Sequence, residues 1–100
     1  MNDTQTPWYV LRSPEVGKPF EDFYAACEKS GVLERKVPHL LRIATACVSG
    51  CPRHLETMIQ DALAAGVSKE EITETLLIAA VEHAGAHLTQ NKESCMRYLR

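Results

Sequence analysis

Cys47, Cys51 and His54 fall in one short stretch, and the residues around them decide what they can do. Gly50 precedes Cys51 and Pro52 follows it. In that pattern one helix ends at a glycine and the next begins with a proline in its first position. Cys51 is therefore expected at the N-cap of a helix and His54 in its first turn. A sulfur placed there lies near unpaired backbone N–H groups and the positive end of the helix dipole, both of which favour thiolate over thiol. His54 then either shares the thiol proton or acts as a second ligand to a soft metal ion. The plainer reading of the same pair is a small apolar cysteine and a solvated histidine. Cys47, four residues before Cys51, is a resolving thiol or an ordinary helix-interior cysteine, and the tendency of free cysteine to be buried favours packing.

Three further histidines bear on a metal. His83 and His87 are spaced i, i+4, which brings two imidazoles to one ion if the segment is helical, although they also continue an apolar stripe. His39, Cys51 and His54, joined by His83 or His87, would make a Cys/His set suited to zinc or another transition metal. Cys27 and Cys95 lie within helical runs and read as core.

The elements that must position these residues read as about five helices, with strand signals essentially absent. Ser13 and Pro14 open the first, whose apolar face is Val16, Phe20, Phe23, Tyr24 and Cys27; Pro19 is expected to break its first turn and Gly31 to stop it. The second carries Leu33, Val37, Leu40, Leu41, Ala44 and Val48 and ends at Gly50. The third buries Leu55, Met58, Ile59, Ala62 and Leu63 and ends at Gly66. The fourth opens with Ser68 and Glu71 as a capping box and Val67 with Ile72 as a hydrophobic staple. Its stripe of Ile72, Leu76, Ala79 and Ala80 runs into His83 and His87. A bend at Gly85 is expected before a last helix from about Leu88 to Leu99.

The chain has 100 residues, so the helices are expected to form one domain, 13–100, preceded by an N-terminal arm, 1–12, whose Trp8-Tyr9-Val10 segment seeks a surface. A domain of this size supports one modest core but no deep private pocket, so a sizeable site is expected to be shared between subunits. Lys and Arg number 11 against 13 for Asp and Glu, and no run of one sign points to nucleic acid or an anionic membrane. The longest apolar stretch, Leu76 to Val81, is too short to span a bilayer, and the first residues lack a signal-peptide pattern. A cytoplasmic location with reduced thiols is expected, and a small molecule, a redox protein or further copies of the chain are the partners left.

The run from Leu33 to Gly85 resembles the carboxymuconolactone decarboxylase family, which includes the alkylhydroperoxidase D-like proteins. It is carried by Leu33-x-x-Lys36-x-x-x-Leu40-Leu41 leading into Cys51, by Ala62-Leu63-Ala64-Ala65-Gly66-Val67-Ser68-Lys69-Glu70-Glu71-Ile72, and by Leu76-Leu77-Ile78-Ala79-Ala80 with the later Gly85. The resemblance implies an all-α fold and a trimer or hexamer with its active site near a subunit contact. The peroxidase-like branch uses Glu-x11-Cys-x2-Cys-x3-His, in which a cysteine pair does peroxide and disulfide chemistry while Glu and His relay a proton. Cys51 stands at the first cysteine. His39 stands at the Glu, His54 at the second cysteine and Met58 at the final histidine.

Two activities of different class are therefore expected to compete. One is a peroxiredoxin-like thiol oxidoreductase that needs no cofactor, with Cys51 as thiolate, His54 as acid/base, His39 at the relay position and Cys47 as resolving partner. The other is a metal-binding protein built on His39, Cys51, His54, His83 and His87. A non-catalytic oligomeric scaffold is the remaining alternative.

Overall fold

Proline and glycine punctuation sets most of the element boundaries in the computed structural model, which describes residues 6–99. It contains α1 Trp8–Arg12, α2 Pro14–Lys29, α3 Val37–Ser49, α4 Pro52–Ala64, α5 Lys69–Gln90 and α6 Lys92–Tyr98, with no strand among the described residues. They group into two compact units, Met1–Leu33 and Glu34–Arg100.

In the first unit Trp8-Tyr9-Val10 is helical and lies against α2. Gly17 makes the approach possible. A Cβ there would stand 2.7 Å from the Tyr9 carbonyl oxygen and 2.8 Å from the Val10 Cα, so only glycine lets the two backbones come this close. The Tyr9 ring meets Phe20 edge-on at 5.6 Å, and its hydroxyl donates to the Glu21 carboxylate. That bond favours the protonated phenol and pushes the Tyr9 pKa above its ordinary value.

Two expectations fail in α2. Pro19 does not break it, because a proline costs one backbone bond, here the one its nitrogen would make to the Glu15 carbonyl, and the remaining ladder carries the helix on to Lys29. Gly31 does not stop it either; Ser30 does, in extended geometry with its N–H on the Ala26 carbonyl at 3.1 Å. The face expected to be buried, Val16, Phe20, Phe23, Tyr24 and Cys27, is exposed.

In the second unit α3 begins at Val37, not at Leu33, because Pro38 has no N–H to donate and belongs in a first helical turn. It ends at Gly50, left-handed at φ 71°, as expected. The end of α4 is a full Schellman motif. Gly66 sits at φ 91° and donates to the Leu63 carbonyl at 3.1 Å, and Val67 donates to the Ala62 carbonyl at 3.0 Å. Ser68 and Glu71 then close the capping box, with bonds of 2.8 and 3.0 Å between each side chain and the other's backbone N–H.

The core is small: Ile43 and Ala46 from α3, Met58 and Ala62 from α4, Val67 from the corner and Ile72 from α5, with Leu40, Leu55, Ile59 and Leu76 packed around them. Gly85 does not bend α5. Ala84 and Ala86 flank it, and their high helix propensity carries the helix through. The break falls at Asn91, whose side chain donates to the His87 carbonyl at 2.7 Å. The last helix is accordingly shorter than expected, and Cys95 on it is exposed, not core.

Candidate functional site

Cys51 is the N-cap of α4, at φ −111° and ψ 90°, with Pro52 in the first helical position. Its carbonyl accepts from the Leu55 N–H at 2.9 Å, which closes the first turn. Its side chain makes no capping bond, and the residue is exposed. The sulfur therefore stands free at the end of α4 where backbone N–H groups lack helical acceptors. His54 is exposed in that same first turn, and Arg53 beside it adds a positive charge that sequence reasoning passed over.

Cys47 is half-buried in the last turn of α3, and its carbonyl accepts the Gly50 N–H at 3.2 Å. All four cysteines are free thiols. Of these, Cys27, Cys51 and Cys95 are exposed.

The pairing of α3 with α5 decides which histidines share this end of the unit. Lys36, just before α3, bonds Glu71 in the first turn of α5 at 3.3 Å. Near the other end of α3, Thr45, Val48 and Ser49 line a shallow groove with Ala79, Glu82 and His83 of α5. The two helices thus run in the same direction, and His83 lies beside the last turn of α3, the end that leads into Cys51. The Thr45 and Ser49 hydroxyls are engaged with the Leu41 and Thr45 carbonyls, both at 2.8 Å.

His39 is half-buried in the first turn of α3. Ten residues at about 1.5 Å each set it roughly 15 Å along the helix from Ser49. Cys47, Cys51, His54 and His83 therefore share one end of the unit and His39 sits toward the other.

His83 and His87 are in direct contact, Nε2 to Nε2, at 3.1 Å. Among the described residues no group of three or more His, Cys, Asp or Glu side chains converges to hold a metal ion. Met58, at the position of the family motif's final histidine, belongs to the core.

A charge effect lies at the opposite end of this unit. The Glu71 carboxylate accepts the Ser68 backbone N–H, meets the Ser68 hydroxyl and pairs with Lys36, and these contacts hold its pKa below the usual carboxylate value.

An all-α unit with a helix-start cysteine and a Gly66–Ile72 corner is what the resemblance led one to expect, and comparison with known proteins agrees. The carboxymuconolactone decarboxylase family model matches residues 14–91, and the chain belongs to that family. A protein of Paracoccus denitrificans described as uncharacterized protein 4 in the cox locus is 31% identical over 74 residues, 70% of this chain and 67% of that protein. A crystal structure of a protein from Methanobacterium thermoautotrophicum shares the fold with a TM-score of 0.77 at 25% identity, covering 85% of this chain and 92% of that one. No helix among the described residues is long and apolar enough to cross a membrane.

Proposed function

We propose that this family member is a peroxiredoxin-like thiol oxidoreductase in which Cys51 is the reactive thiol, His54 its acid/base neighbour and Cys47 the resolving thiol. The observation that carries the reading is the free, exposed sulfur of Cys51 at the start of α4. The reading requires a reducing compartment such as the cytoplasm, where these thiols are returned to the reduced state between turnovers. In the reaction the Cys51 thiolate attacks a hydroperoxide oxygen, the O–O bond breaks, and the alkoxide leaves with a proton from His54, giving an alcohol and a Cys51 sulfenic acid. The Cys47 thiol then condenses with it, releasing water and forming a disulfide. A dithiol reductant restores both thiols and is itself oxidised to a disulfide.

Exposure alone would make Cys27, Cys51 and Cys95 comparably reactive. Limiting iodoacetamide followed by mass spectrometry separates exposure from activation, and Cys51 should be labelled first. A His54→Gln change should slow that labelling at neutral pH severalfold, because the neighbouring group that takes up the thiol proton is lost. In a Cys47→Ser variant, where the sulfenic acid cannot be resolved, dimedone trapping after one equivalent of hydroperoxide should mark Cys51 alone. Equal labelling of Cys27 and Cys95, or no trapped sulfenic acid, overturns the reading.

A further inference from the structure

We propose that His83 and His87 form a clamp for a divalent transition-metal ion on α5, independent of the chemistry at Cys51. The spacing becomes geometry because α5 runs unbroken through Gly85. The two rings stand perpendicular with centroids 4.6 Å apart, and their Nε2 atoms face each other at 3.1 Å.

Two nitrogens bound to one ion at about 2.0–2.1 Å each lie about 2.9 Å apart at a right angle and about 3.4 Å apart at the tetrahedral angle. The observed separation falls between these, so an ion can bridge the rings after a shift of a few tenths of an ångström. Without metal, one Nε2–H donates to the other Nε2 lone pair. On binding, the donor ring changes to its Nδ1–H tautomer and both Nε2 lone pairs turn to the ion, with no net change in protons.

Imidazole suits zinc, nickel and copper, whereas magnesium and calcium require oxygen ligands that this pair does not offer. Both histidines are exposed, so water completes the coordination sphere. Holding two residues one turn apart also braces the C-terminal half of α5, where no residue is buried.

Calorimetric titration of the reduced chain with nickel, repeated with zinc, tests the proposal. The expected result is one ion per chain, a rise in melting temperature with added metal, and an affinity at least tenfold weaker in both His83→Gln and His87→Gln. Both substitutions sit on the surface, and a circular dichroism spectrum matching that of the unaltered chain excludes misfolding. Cys51→Ser should leave the affinity unchanged, which separates this site from the thiol reading. Absence of nickel and zinc binding at millimolar metal, or binding that survives both histidine changes and is lost with Cys51→Ser, overturns the clamp.

Discussion

Met58 shows how a single position can leave a family's chemistry and join its packing. It stands where the peroxidase-like motif carries a histidine, yet it is only 9% exposed and packs with Ile43, Ala46 and Ala62. A thioether there fills space and moves no proton. Met58→Ala should cost roughly 2–4 kcal/mol by opening a cavity beside Ile43, and Met58→Leu less than about 1.5 kcal/mol, both read from urea denaturation. Neither should slow alkylation of Cys51 under conditions where the variant is folded. Slower alkylation with intact stability would place Met58 in the site instead. The position of Cys51 itself was legible in the sequence because Gly50 and Pro52 fix it locally. The distance of His39 from that end was legible too, since a single helix was expected to run through it to Gly50, and that distance separates it from Cys51.

The corner between α4 and α5 is held by four local devices: Gly66 in left-handed geometry, the Val67 bond to Ala62, the capping box of Ser68 with Glu71, and Val67 and Ile72 in the core. Glu71 makes this corner sensitive to acid. Its folded pKa is depressed, so the stability that its charge contributes is present above the unfolded carboxyl value, about 4.3, and is lost as pH falls through the lower folded value. Glu71→Gln keeps a polar cap and removes the charge. The stability difference between the two chains, measured by thermal denaturation, should be largest near pH 7 and shrink steadily below about pH 4. A difference that does not change with pH would mean that the charge plays no part. Ser68→Ala should cost about 1 kcal/mol near pH 7 and less in acid, because the Ser68 hydroxyl is among the contacts that favour the charged Glu71 carboxylate. Every device in this corner spans a few residues, which is why the sequence displayed the stop at Gly66, the capping box and the pairing of Val67 with Ile72, though not the Val67 bond to Ala62. By contrast, the start of α3 at Val37, the continuity of α2 through Pro19 and of α5 through Gly85, and the pairing of α3 with α5 depend on competition between local preference and packing, and they were misread or invisible.

At the scale of the molecule, each unit leaves apolar surface uncovered. In the first, Trp8 is 73% exposed, with Val16 and Phe23 similarly open. In the second, α5 carries Leu77, Val81, Ala84 and Leu88 at positions that fall on one stripe, all exposed. A helix with an open stripe of this kind is built to meet another helix, and a chain of 100 residues has too small a core to leave it bare at little cost. We therefore predict a homo-oligomer, with the masses of three or six chains in sedimentation equilibrium. Val81→Glu should dissociate it toward smaller species with helix content retained, since Val81 is 64% exposed within its own chain and tolerates a charge there. Removal of the residues before Ser13 should weaken the assembly if Trp8 and Tyr9 clasp a neighbour, and leave it intact if the stripe on α5 suffices. His83 and His87 lie roughly 100° around the helix from that stripe, at 100° per residue, so metal binding should persist in the assembled form. A monomer at tens of micromolar, or full assembly of Val81→Glu, would show that the stripe on α5 is not the contact.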